Sequence, residues 1–146
     1  MKEPTDMKTL QMSAALILLC VAQAVFAQSF NYIKPADLKQ RLESGEQPFL
    51  LDIQVENEYS QHHLPGTVPT YAYPAQSSEE RGKIKPAVAK ILATNKDVVI
   101  ICPGGGRGAE NAYNFLKEQG VPEKRMLILE RGQGGWPYPE MLSKAK

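Results

Sequence analysis

The sequence has 146 residues and a mass of 16.2 kDa, enough for one domain of ordinary size and too little for two. With 42% hydrophobic residues it can bury enough apolar surface to offset chain entropy, which excludes an intrinsically disordered chain. The 17 basic and 16 acidic residues leave a formal charge of +1, so bulk charge recruits neither nucleic acid nor an anionic membrane.

Residues 1–27 stand apart. Met1 to Thr9 carries Lys2 and Lys8 beside Glu3 and Asp6, and Met12 to Phe26 is apolar except for Ser13 and Gln23. Val25-Phe26-Ala27 then offers small residues at the two subsites a signal peptidase reads. This order matches a secretory signal cut between Ala27 and Gln28, with Ala22-Gln23-Ala24 as a second cleavage site. The apolar run is shorter than the ~20 residues of a spanning helix and no basic stop-transfer cluster follows, which favours cleavage over a retained anchor. The expectation is an exported domain over residues 28–146, periplasmic or secreted, whose leader meets the membrane only transiently. Cys20 leaves with that leader, so the domain keeps Cys102 as its one thiol. A leftover cysteine in an exported protein points to a reactive group more than to an inert core residue.

The domain reads as alternating strands and helices. Phe30 to Ile33 is a short strand, and Pro35 to Leu42 a helix with proline in its first turn and Gly45 as its stop. Phe49 to Ile53 is a compact apolar run of the kind buried on both faces of a parallel sheet. A polar helical turn covers Glu56 to Gln61, and Thr67 to Tyr73, interrupted by Pro69, is a short or edge strand. Ile84, Val88, Ile91 and Leu92 give helical spacing from Lys83 to Ala93. Val98 to Ile101 is the most buried-looking strand; Ala109 to Gln119 is an amphipathic helix with Ala112, Phe115 and Leu116 inward, ended by Gly120. Met126 to Leu129 is a further strand, Gly132 to Trp136 a glycine-rich turn, and a last helix starts near Pro137. This alternation predicts an α/β fold: a doubly wound, mostly parallel sheet flanked by helices.

In such folds ligands bind outside the carboxyl ends of the strands. The thiol falls there. Val98 to Ile101 runs into Cys102, and Pro103-Gly104-Gly105-Gly106-Arg107-Gly108 follows before a helix begins. Three glycines without Cβ let successive N–H groups turn toward one centre, and a helix N-terminus behind them favours an anion. Such a field favours the thiolate, and Arg107 adds a fixed positive charge. No Gly-Lys-Ser/Thr follows, which disfavours a P-loop, and the spacing is not that of a dinucleotide fingerprint. Elsewhere, His62 and His63 are adjacent with no ligand spacing to complete a metal site; a structural hydrogen bond from His63 is the simpler role. Asp52 suits a loop-organising role at the sheet rim, and Trp136 the wall of a pocket or core.

Taken together, Leu51-Asp52-Ile53 to Glu58-Tyr59, His62-His63-Leu64-Pro65-Gly66-Thr67, the loop Cys102 to Arg107, and Leu129-Glu130 to Gly134-Gly135-Trp136 resemble, in order, the motifs of the rhodanese-like sulfurtransferases. The resemblance runs from about Tyr32 to Leu142. Two positions depart from the family pattern: Gln54 stands where Arg is common, removing a cation, and Gly108 where Ser or Ala is frequent. The resemblance implies a rhodanese-like fold and a cofactor-free transfer of sulfane sulfur. Cys102 would be the nucleophile, Gly104, Gly105, Gly106, Arg107 and Gly108 would bind the substrate, and Asp52, His63 and Trp136 would support them. The implied partners are a thiosulfate or persulfide donor and a thiol, cyanide or protein-cysteine acceptor. In this superfamily the loop with four residues between Cys and Arg goes with sulfur, whereas related phosphatases hold one residue more. A weak or inactive sulfur-carrier or interaction module is the alternative, and a phosphatase or arsenate reductase a third.

Overall fold

The computed structural model describes residues 28–144. The expected export signal over residues 1–27 lies outside them. Five parallel strands form one sheet in the order β1-β5-β4-β2-β3: β1 (Tyr32–Ile33), β2 (Phe49–Asp52), β3 (Val68–Pro69), β4 (Val98–Ile101) and β5 (Met126–Leu129). The connecting helices are α1 (Pro35–Glu43), α2 (Glu56–Gln61), α3 (Ser78–Gly82), α4 (Lys85–Leu92) and α5 (Arg107–Glu118). The expected doubly wound α/β architecture is present, with every strand pair parallel.

β4 sits at the centre because Val98-Val99-Ile100-Ile101 is stiff, branched and apolar on both sides, and all four residues are buried. Strand alternation sends them to opposite faces. Val98 and Ile100 join Ile91, Phe115 and Leu116 under α4 and α5, while Val99 and Ile101 join Leu38, Leu64 and Trp136 on the other side. Each such side chain contributes about 1.5–3 kcal/mol of transfer free energy. In register, Asp52 lies beside Ile101 on one flank and Pro69 on the other, and the Ile53 N–H donates to the Ile101 carbonyl at 2.9 Å. The exits of β2 and β4 are therefore side by side. The chain leaves β2 toward β3 on one flank and later builds β4 and β5 on the other, so this is the switch point where α/β sheets form a crevice.

Three expectations change. The helix foreseen over Lys83 to Ala93 is Lys85–Leu92, and a separate α3 precedes it, fixed by a capping box in which the Glu80 N–H donates to Ser77 Oγ (3.1 Å) and the Ser77 N–H to Glu80 Oε2 (2.9 Å). α5 begins at Arg107 rather than Ala109, so the arginine is already its first residue. No helix starts at Pro137. The chain makes one 3₁₀ turn, Pro139–Met141, and Ser143 then bridges antiparallel to His63, tying the C-terminal segment to the loop after α2.

Candidate active site

β4 delivers Cys102 to the carboxyl edge of the sheet, and the chain turns at once through Pro103–Gly106 into α5. Cys102 follows Ile101, so its side chain points to the α5 face, where it joins the Ile100 and Ala109 cluster. The Gly105 N–H points back at it and donates to Sγ at 3.0 Å. That donor requires the left-handed backbone of Gly105 (φ +71°), a conformation in which a side chain would be strained. The N–H groups of Gly104, Gly106, Arg107 and Gly108 donate to no acceptor among the described residues, as expected of a loop that runs into a helix N-terminus. Thus one glycine amide contacts the sulfur in this state, not the full ring that the sequence suggests.

The sulfur is also deeper than expected. Cys102 is 1% exposed, on the floor of the loop rather than at its lip. Arg107 is exposed at the loop's end and forms no ion pair among the described residues. Gly108 is buried because the Tyr73 ring covers it: a Cβ there would lie 2.6 Å from Tyr73 Cε2. A side chain at position 108 would therefore require the Tyr73 ring to move.

A second glycine segment supports the loop from beneath. The Gln133 N–H donates to the Cys102 carbonyl (2.8 Å) and the Gly134 N–H to the Pro103 carbonyl (2.9 Å). Gly132 (φ +58°) passes so close that a Cβ would meet the Cys102 oxygen at 2.1 Å and the Gly105 nitrogen at 2.6 Å. The Gly132-Gln133-Gly134-Gly135 run is therefore the platform on which the cysteine loop rests. Its role was not assigned from the sequence beyond its being a turn; the signal was the second glycine cluster itself.

Asp52, at the end of β2, is fully buried. Its carboxylate accepts from Gln54 N–H (2.9 Å) and Gln54 Nε2 (3.0 Å), and Nε2 also donates to the His62 carbonyl at 3.3 Å. Burial pushes its pKa up to about 6; the two Gln54 bonds and the charge of His63 work against that rise, and Glu58 adds to it. With glutamine at position 54, the carboxylate has hydrogen bonds but forms no ion pair among the described residues. His63 stacks on Tyr59 at 4.0 Å, and its Nδ1 bonds the Tyr59 carbonyl at 2.8 Å, which makes it a brace of the α2 loop rather than part of the sulfur's surroundings. Trp136 is buried in the second core cluster and donates through Nε1 to the Tyr138 carbonyl at 3.0 Å. Asp52 and Trp136 thus border the exits of β2 and β5 without touching Sγ.

Between α2 and the 133–135 turn lies a cleft of about 380 Å³ that reaches Pro103. A larger cavity of about 670 Å³ opens at the opposite, amino end of the sheet among Phe49, Val68 and Lys96, and Cys102 does not line it. Among the described residues no three His, Cys, Asp or Glu side chains converge where a metal ion would bind.

A five-stranded parallel sheet with a cysteine loop at its switch point defines the class, and the comparisons name it. A rhodanese-like domain is matched over residues 34–137. This chain belongs to the rhodanese-like family. It is 31% identical over 110 residues to "Putative sulfur carrier protein YrkF" of Bacillus subtilis (strain 168), covering 75% of this chain and 52% of that one, so it spans about half the length of this curated relative. Among solved structures it resembles the BH2092 protein of Bacillus halodurans (TM-score 0.61, 18% identity, 94% of this chain and 86% of that one). It also resembles the As-Sb reductase of Leishmania major (TM-score 0.63, 13% identity, 80% and 86%). At these identities the structures share the fold.

Proposed function

We propose that the protein is a sulfurtransferase that carries sulfane sulfur as a persulfide on Cys102. The thiolate attacks the outer sulfur of thiosulfate; the S–S bond breaks and sulfite leaves with its electron pair, so that Cys102 holds a terminal persulfide anion. A thiophilic acceptor attacks that terminal sulfur and Cys102 departs as thiolate. With a persulfide donor, the thiolate of the donor leaves in place of sulfite. One negative charge on sulfur must be stabilised in both halves, and amides aimed at the sulfur do this without a cofactor. The observation that carries the reading is the bond from Gly105 N–H to Cys102 Sγ in a loop with four residues between Cys102 and Arg107. Arg107, exposed and unpaired among the described residues, attracts the anionic donor, and the free N–H groups of Gly104, Gly106, Arg107 and Gly108 receive the added sulfur. Because Sγ is almost sealed, the donor enters as the glycine loop shifts outward.

That burial also favours a second reading, a carrier that accepts sulfur only inside a complex with a partner protein. Incubation with thiosulfate followed by intact-mass measurement separates them. An adduct of about 32 Da, absent in Cys102→Ser, supports autonomous transfer. No adduct from thiosulfate or from small persulfides supports the carrier. Export of the domain to the periplasm or beyond belongs to the same proposal and is tested by locating the processed chain after cell fractionation.

A further inference from the structure

The larger cavity, at the amino end of the sheet, has its cause in the strand register. β3 begins only at Val68, which pairs with Leu51, so Phe49 and Leu50 at the start of β2 have no partner in β3. The chain crosses that flank as the Pro65–Gly66 turn rather than as a strand. The opening of about 670 Å³ left there has an apolar floor. Phe49 is partly buried against the core cluster on one face of the sheet, and Leu42 and Met141 against the cluster on the other; Val68 completes the floor. Three charged side chains line the cavity: Glu46, Lys90 and Lys96. The Glu46 carboxylate faces Arg41 Nε at 3.6 Å, and Arg41 Nη1 also holds Asp97 at 3.0 Å. Lys90 and Lys96 form no ion pair among the described residues, so the lining keeps two uncompensated ammonium groups. The Lys96 carbonyl accepts from Arg125 Nε (2.9 Å) and Nη2 (2.6 Å), which fixes the backbone from which this lysine extends.

We propose that this cavity binds a small amphipathic carboxylate, a free acid with an apolar chain of medium length. The chain lies on Leu42, Phe49, Val68 and Met141, and the carboxylate stays at the rim with Lys90 and Lys96. An apolar floor without charge would take a neutral molecule, and two lysines without that floor would take an inorganic anion. The two together, with the one lining acid engaged by Arg41, select an apolar acid. Ion pairs to exposed lysines contribute little, so the buried chain supplies most of the affinity and the cations set the sign of the head group. The cavity lies within the ~300–1,000 Å³ range of small-ligand sites, and its concave shape suits one enclosed molecule better than a membrane surface or a second protein. Phe49 and Asp52 are opposite ends of β2, and the cysteine loop lies at the Asp52 end. The site is therefore separate from Cys102, and the proposal does not rest on the reading of that residue as a sulfur carrier.

The full chain, labelled with ¹⁵N, is titrated with butyrate, hexanoate and octanoate, and with octyltrimethylammonium, which has the octyl chain but the opposite charge. The backbone amides of Phe49, Gly66, Val68 and Lys90 report on the cavity, and those of Gly104 to Gly106 on the cysteine loop. The expected result is a saturable shift of the cavity amides with octanoate, an affinity that rises about fourfold per added methylene, and no matching response to the ammonium probe. The loop glycines should not move. Lys90→Gln combined with Lys96→Gln, both at exposed positions, should weaken octanoate binding about tenfold. An affinity independent of chain length, equal binding of octyltrimethylammonium, shifts at the loop glycines in place of the cavity amides, or undiminished binding in the double variant overturns the proposal. Cavity amides that shift when the protein alone is diluted assign the surface to a second copy and overturn it as well. The comparison of probes on the unaltered protein stands even if the double variant fails to fold.

Discussion

Asp52→Asn isolates the energetic consequence of burying a carboxylate without a cation. The folded pKa is raised from 3.8 to about 6, with burial as the leading cause. At about 1.36 kcal/mol per unit, the ionised carboxylate costs the fold about 3 kcal/mol once the pH exceeds both values. The sign follows from proton counts. Between pH 4 and 6 the folded protein retains a proton that the unfolded chain has released, so stability falls as pH rises through this window. Below pH 3.8 the group contributes nothing. Asparagine does not titrate, so the stability of the variant relative to the parent should climb by about 2.4 kcal/mol from pH 4 to pH 7. At the acid end the variant starts lower by about 1–2 kcal/mol, because its amide nitrogen can face the Gln54 Nε2 donor that now bonds Asp52. Urea unfolding of both proteins at pH 4, 5, 6 and 7 measures the difference, and all other carboxylates cancel. Parallel pH profiles would refute the reasoning. Gln54→Arg supplies the missing cation and should flatten the parent's decline in the same experiment.

Gly132→Ala should destabilise the domain by about 3 kcal/mol and reduce thiosulfate-dependent persulfidation, since its Cβ has nowhere to go beside the Cys102 carbonyl; denaturant midpoints and intact mass check both. Gly104→Ala, with open space around the added methyl, should stay within about 0.5 kcal/mol of the parent in the same titration. Gln133→Leu should gain about 1–3 kcal/mol by removing an unpaired buried amide, read as a higher urea midpoint; a loss would mean that the carboxamide is already satisfied. Arg107→Ala should leave the unfolding midpoint unchanged, because the side chain is exposed, while raising the KM for thiosulfate about tenfold in a cyanide-acceptor assay.

The inner strands β2, β4 and β5 were legible because each is a dense apolar run, and β4 is buried along its whole length as Val98-Val99-Ile100-Ile101 implies; the edge strands β1 and β3 are only two residues each, and β3 is shorter than the Thr67 to Tyr73 segment suggested. Helices α1, α2 and α5 were legible from Pro35, from the polar Glu56–Gln61 turn and from apolar spacing. α3 was overlooked although Ser77 and Glu80 carry a capping-box spacing, because five residues give no hydrophobic period to read. The helix expected near Pro137 gives way to a local bond from Trp136 to the Tyr138 carbonyl and to the tertiary Ser143–His63 bridge, which hold the chain extended on either side of one 3₁₀ turn. At the site, the position of Cys102 was readable from strand, glycine run and arginine, but its depth was not. Depth goes with Gly132 closing against the Cys102 carbonyl, a contact between segments far apart in sequence.

Contacts of this kind decide how the nearly sealed sulfur is held. The loop is held from beneath by two backbone bonds, Gln133 to Cys102 and Gly134 to Pro103, and both sit on the β4 side of the glycines. Beyond them, Gly104 and Gly106 have open space around the position of an absent Cβ, whereas Gly105 packs against the Arg131 and Gly132 backbone. The Gly104 nitrogen also lies against Gly132, 2.8 Å from where a Cβ on Gly132 would stand, so the loop backbone is packed from Cys102 through Gly105. Gly105 is therefore the glycine required twice over, by its left-handed backbone (φ +71°) and by its contact with the Arg131 and Gly132 backbone, and it is the residue whose N–H meets Sγ.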